Sequence, residues 1–528
     1  MTKREALNGK PYTGNPHVRF DAGDVALVAT PRCESLPHKT CETRVQIATT
    51  AMRLLSLAAS CLIAHGAYAA EIKWNSSQGG DMQVETNWSN STKPTSSDTI
   101  KIARNNDKPI TLSEDLTASG GNSYFAANFE LALTNSAGVS RKLSLSKFYA
   151  GGGSKTVSLT AGTLAFSDRL YMGDSSASYT NDTFIVDGAN TAFDGGTICV
   201  GTKCPNCTFV VQNGATLTGL QLYVGRNQFN DTSPSTNSCF CVTGAGSSAT
   251  FSYANQSATD SGVSFGGNGL CRIEVLDGGC LSVTNLAVRR HPTYSAIPWY
   301  GDNSVRVSGA GSKVIVNGGR NKGFWLGSAA APGCSVTVED EATWESHGEF
   351  KIADGYTTNA VFRVASGARV SHDVYSVKVG TTASARNAAL QIDNGVMECL
   401  ADGGISVDGE DSHISISGAG AHLSSPNGAV TFNAGTRLEI EIPNTGFTSG
   451  EPPITCKTLT FDAGSSLVVT FEKANNPGGR VVLARATDDI TTLGNLSVTL
   501  PEGVGLDTSN AKELAVKVPT SGFVIFIK

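Results

Sequence analysis

The cysteines are the residues best able to do chemistry in this 528-residue chain, so their spacing comes first. Ten of the thirteen lie beyond residue 70, at Cys199, Cys204, Cys207, Cys239, Cys241, Cys271, Cys280, Cys334, Cys399 and Cys456. Cys204-Pro205-Asn206-Cys207 has the C-x-x-C spacing of a redox dithiol or half a zinc site. A redox pair needs a helix N-terminus or a cation to depress the thiol pKa, and no βαβ pattern surrounds this one. A zinc site wants two close pairs, and Cys239-Phe240-Cys241 makes a poor second one. The cysteines therefore read as structural disulfides or buried thiols, with metal and redox roles as alternatives. Cys239 and Cys241 fall on one strand face and should not bond each other.

Other reactive types are scattered. His291, His347, His372, His413 and His422 have no His or Cys at ligand spacing and read as solvated-face or turn residues. Glu339, Asp340, Glu341, Glu345 and Glu349 offer hard oxygens that could hold Ca²⁺, or simply form a solvated turn. A glycosidase needs two carboxylates at a defined separation, and no such pair stands out. We assign no catalytic residue, metal or cofactor. One stretch breaks the pattern around it: Arg289-Arg290-His291-Pro292 through Pro298-Trp299-Tyr300. Arg289 and Arg290 could pair with carboxylates, and Trp299 and Tyr300 could stack on sugar rings, which makes this a candidate glycan-contact loop. The plainer alternative is an Ω-type loop packed on its own aromatics.

The elements around these residues repeat one phrase. An alternating strand runs into a Gly turn, and a second apolar stretch ends in Val-Gly or a close variant. Phe184-Ile185-Val186-Asp187-Gly188-Ala189 leads to Cys199-Val200-Gly201, and Phe209 to Ala215 leads to Tyr223-Val224-Gly225. Val361 to Ala368 leads to Val377-Lys378-Val379-Gly380. Turn glycines Gly162, Gly188, Gly214, Gly244, Gly278 and Gly309 are 26, 26, 30, 34 and 31 residues apart. The next turn, Asp340-Glu341-Ala342, lacks its Gly; Gly367, Gly395, Gly418, Gly435 and Gly464 follow at 28, 23, 17 and 29. Val305-Arg306-Val307-Ser308 and His413 to Ser417 alternate with period two, the mark of half-buried strands. Val210, Val305, Val307, Val336, Val338, Ile414 and Ile416 are expected inside. A chain of stacked coils follows, roughly 28 residues each, about 13 or 14 in number and roughly 65 Å long. The fold class is all-β, a parallel β-solenoid.

Composition sets the compartment. Met52-Arg53, the apolar run Leu54 to Ala64 and Ala67-Tyr68-Ala69 read as a signal peptide over 52–69, cut after Ala69. Residues 1–51 precede it without strand pattern and read as a misassigned start or a disordered extension. Eight of the 40 basic and five of the 46 acidic residues lie in 1–70, leaving the remainder at net −9. That excludes nucleic acid as the main partner. No other stretch suits a membrane helix, so no transmembrane segment is expected after signal cleavage. The charged fraction of 16% is low against about 25% for soluble proteins, with hydroxyl and amide residues carrying solubility instead.

Trp74-Asn75, Asn87-Trp88-Ser89-Asn90, Pro94 and Asp98-Thr99-Ile100 open the exported part, and the Val211 to Gly225 phrase recurs after it. Together they resemble secreted bacterial proteins built from autotransporter-associated β-strand repeats. The resemblance covers most of 71–470 and implies a right-handed parallel β-helix on or outside the cell envelope. The chain departs from that pattern at its C-terminus, where no run of translocator strands is visible. Residues 70–130 are expected to form an N-terminal β cap, 131–470 the solenoid and 471–528 a C-terminal β cap. The expected role is structural or adhesive, at an extracellular or cell-surface location, with glycan or envelope components as partners. A carbohydrate-active β-helix enzyme is the alternative.

Overall fold

The structure, a computed structural model, describes residues 70–519 apart from 174–179, 226–234, 254–261, 266–268, 290–300, 320–321, 329–332, 356, 383, 449–450, 473–477 and 492–495. Its regular secondary structure is almost all strand, stacked in parallel as a β-solenoid of about 13 turns. A typical coil carries three strands, such as Thr208–Gln212, Thr216–Gly219 and Gln221–Val224. We number the three faces of the stack in that order.

Alternation explains each strand. In Thr208–Gln212, Phe209 and Val211 are buried while Thr208, Val210 and Gln212 face out. Register keeps this constant between coils: Phe209 sits over Phe240, then Ile273, Val305, Val336 and Phe362. Like side chains therefore stack in columns along the interior. Phe184, Phe209 and Phe240 run at ring separations of 5.2 and 5.7 Å. Phe324, Trp344, Phe350 and Phe362 form a second aromatic cluster. Val305, Val307, Val336, Val338, Ile414 and Ile416 are buried as expected. Val210 is not among them, because the inward register of its strand belongs to Phe209 and Val211.

The corners explain the uneven glycine count. Between the first and second faces the chain turns through left-handed residues such as Gly188, Gly214 and Gly244; where Gly is missing, Asp340 and Glu341 take φ of 56° and 63°. Gly435 and Gly464 belong to another corner, the one entering the first face. The 17-residue step from Gly418 to Gly435 thus spans two corners of one coil. At this entry corner, among the described residues, each coil from Asn181 to Gly464 has one left-handed residue two positions before its first-face strand. They are Asn181, Asn206, Asn237, Leu270, Asp302, Gly333, Asn359, Asn387, Asp411, Gly435 and Gly464. Asn and Asp tolerate this conformation better than other residues with a Cβ. Successive amides also link: Asn237 Nδ2 donates to Asn206 Oδ1, and Asn387 Nδ2 to Asn359 Oδ1, both at 2.8 Å.

Parallel pairing already holds within 70–130, where Glu71–Lys73 lies along Thr99–Ile102. It continues to Ser497–Thr499 on the first face. Near the C-terminal end Gly479–Ala486 pairs antiparallel with Glu513–Val518, which pairs antiparallel with Gly505–Asp507. Arg480 bridges Asp507 and Glu513, each at 2.8 Å, across these strands.

Candidate functional site: an external aromatic and basic row

The third face carries an outward row along the stack. Its register runs Lys101, Tyr124, Tyr149, Tyr171, Cys199, Tyr223, Ser264, Ala287, Trp325, Lys351 and Lys378. Apolar neighbours on either side of these positions point inward, for example Leu170 and Met172 around Tyr171. Tyr124, Tyr149 and Tyr171 stack face to face at 5.1 and 5.3 Å, with ring planes within 16°. Lys147 lays its ammonium 5.1 Å from the Tyr149 ring and 4.8 Å from that of Tyr171. Arg169 Nη1 donates to the Tyr171 hydroxyl at 3.2 Å. Tyr124 and Tyr149 are partly exposed; Tyr171 and Tyr223 are 2% and 5% exposed.

Electrostatics follow from this packing. Burial opposes the charge on Lys147, but the hydrogen bond and charge of Tyr149, with Tyr171 and Asp168, outweigh it and hold its pKa above the ordinary value. Burial pushes Tyr171 up, partly offset by Arg169. Two residues before Lys147 along the same strand, the second face ends in a shallow groove lined by Lys142, Ser144, Phe166, Asp194, Gly195 and Gly196 among others. Neither Lys142 nor Lys147 has a carboxylate within ion-pair distance among the described residues, whereas Lys101 pairs with Glu71 at 3.5 Å and Arg169 with Asp168 at 3.5 Å.

The loop expected to contact glycan lies outside the described residues from Arg290 to Tyr300. Arg289 ends the strand Leu286–Arg289, whose Ala287 belongs to the row. The Tyr row itself was not singled out. Its signal was a Tyr between apolar residues once per coil, as in Phe148-Tyr149-Ala150, Leu170-Tyr171-Met172 and Leu222-Tyr223-Val224.

Among the described residues the ten cysteines form no disulfide, and nine of them are buried. Cys207, Cys271 and Cys334 occupy the position after the left-handed corner residue, alternating with Ser238 and Asn303, all without exposure. Each such pair of cysteines is two coils apart, roughly 10 Å, too far for a disulfide. Burial pushes Cys207 and Cys456 up to about 12. Cys239 and Cys241 share the outer side of one strand, as expected.

The acidic cluster is spread over corners and faces. Glu339 takes Arg306 at 2.7 Å, Glu345 takes Lys313 at 2.8 Å, Glu349 takes Lys351 at 2.8 Å, and Asp340 accepts the Ser308 hydroxyl. Among the described residues no three His, Cys, Asp or Glu side chains group to hold a metal. His372 departs from the solvated role expected of it. It ends the strand Arg369–His372 on the inward register and has no exposure. Its Nε2 meets the Tyr375 carbonyl, and its ring packs edge-on against Phe350.

Among the described residues no helix is long and apolar enough to cross a membrane. No protein-family model matches this chain, and no curated protein matches it significantly. Its functional reading therefore rests on the geometry above.

Proposed function

We propose that this chain is an exported, secreted or surface-attached solenoid with a structural or adhesive role. The observation that carries the reading is the partly exposed stacked pair Tyr124 and Tyr149, with the Lys147 ammonium over the Tyr149 ring, on one outer face. A stack of coils at one spacing suits contact with an extended partner. In this reading the stack is a right-handed β-helix, and the segments 70–130 and 471–528 close its ends against association through open strand edges. The signal sequence over 52–69 directs it to an extracellular or cell-surface location, where glycan or envelope components are its partners. Fractionation of the producing cells and N-terminal sequencing of the exported form test this. A mature N-terminus within a few residues of Ala70, and binding of the purified protein to isolated envelope or matrix glycan, are expected. A cytoplasmic protein that keeps residues 1–51 would contradict it.

One observation favours a second reading, a carbohydrate-active enzyme. A small external cavity of about 170 Å³ is lined by Glu345, Arg369, Ser371 and Glu398 among others. Glu345 and Glu398 stand two strands apart, roughly 10 Å, near the upper limit for an inverting pair. The 2.8 Å ion pair with Lys313 works against it, because it occupies the Glu345 carboxylate. Release of reducing sugar from polysaccharides by the pure protein would favour this reading over the first.

A further inference from the structure

We propose that Lys142, Lys147 and the partly exposed Tyr124 and Tyr149, backed by buried Tyr171, form a binding site for an acidic polysaccharide lying along the stack. This rests on the adhesive reading and names the ligand class for its exposed face.

The stacking decides which chemistry the row can offer. The inner rings spend their faces on each other, at 5.1 and 5.3 Å and nearly parallel. A sugar ring therefore cannot lie flat between them, and what Tyr124 and Tyr149 present outward is ring edges and phenol hydroxyls, whereas Tyr171 is buried and its hydroxyl accepts from Arg169. The Tyr124 and Tyr149 positions lie one coil apart, at about 4.8 Å. That repeat is close to the length of one sugar unit in an extended chain, so a polymer running along the stack can meet successive coils alike.

Charge selects an acidic polymer over a neutral one. The site's carboxylates are engaged: Glu71 with Lys73 and Lys101, Asp168 with Arg169, Asp194 with the Thr218 hydroxyl at 2.7 Å, and Asp115 with the Lys142 backbone N–H at 2.9 Å. Lys142 and Lys147 are left without an ion pair among the described residues, one at the groove and one over the rings. Lys147 remains charged at neutral pH, as its raised pKa requires. In a chain of net charge −6, two unpaired ammonium groups beside a row of hydroxyls suit a ligand with regularly spaced carboxylates.

The test is affinity electrophoresis and calorimetry of the purified full-length protein against polygalacturonate, alginate and neutral dextran, with an isolated envelope preparation as a fourth arm. Wild type should bind one or both acidic polymers, weaken as NaCl rises and ignore dextran. Lys142→Gln/Lys147→Gln should lose affinity by about tenfold or more while keeping its circular dichroism and melting temperature. Tyr149→Phe keeps the stack and should lose affinity only a few-fold. Equal binding by wild type and the double Lys variant would overturn the site while leaving adhesion standing. Binding of wild type to none of the four preparations would overturn both.

Discussion

Leu270 is the odd residue in the entry-corner ladder, and replacing it should stabilise the protein. Ten of the eleven positions hold Asn, Asp or Gly, but this one holds Leu at φ 56°. Its side chain is 54% exposed, so removing it sacrifices little burial. A left-handed conformation costs a residue with a Cβ about 1–2 kcal/mol. Leu270→Gly relieves that strain but gives the unfolded chain more freedom, which takes back about 0.5–1 kcal/mol. The net gain should be about 0.5–1 kcal/mol. The converse change, Asn387→Leu, adds the strain and removes the hydrogen bond to Asn359, itself worth about 0.5–1.5 kcal/mol. It should cost about 1.5–3.5 kcal/mol. Because a solenoid's stability is a sum of local terms, hydrogen exchange is the sharper assay. Leu270→Gly should slow exchange in Arg272–Leu276, which begins two residues later and hydrogen-bonds to its neighbours. Faster exchange there, or a lower melting temperature, would refute the assignment of strain to this corner.

Two further outcomes follow from buried groups. Burial holds the His372 imidazole below its ordinary value, so the folded chain binds that proton less readily than the unfolded chain. The stability this confers is complete above about pH 6.5 and is lost as pH falls below it toward the folded value. His372→Leu should flatten the fall in melting temperature between pH 7 and 5; an unchanged profile would show that the group does not contribute. The ten described cysteines should resist a thiol reagent in native buffer, with half-buried Cys280 reacting first, and react completely in urea. A melting temperature that drops on adding reductant would instead reveal disulfides.

The strands were legible because a solvated face forces alternation: Val305-Arg306-Val307 can be read directly as in, out, in. Corners were legible only where Gly marks them. The entry corner was hidden because Asn, Asp and Gly share it, and because each residue of a pair such as Asn359 and Asn387 looks ordinary until register brings them together. The Tyr row was hidden for the same reason. Tyr124, Tyr149 and Tyr171 are more than twenty residues apart in sequence, and only parallel stacking makes them neighbours. His372 was misread because its strand is four residues long, too short for the alternation of Arg369, Val370 and Ser371 to declare which side it takes. The cysteines were read by motif, whereas Cys207, Cys271 and Cys334 share the buried position after the corner, which Ser238 and Asn303 fill in the coils between them.

The central claim is that each coil sits one strand spacing beyond the last, so that outward residues form straight rows. Thr218 and Ser424 occupy one such row on the second face, linked through Thr250, Ser282, Ile315, Glu345, Ser371 and Glu398. That makes seven strand steps, or about 34 Å at roughly 4.8 Å each. Spin labels on Thr218→Cys and Ser424→Cys, measured by pulsed dipolar spectroscopy, should give one narrow distribution centred near that distance. A separation below about 20 Å, or a broad distribution without a dominant peak, would contradict a registered parallel stack.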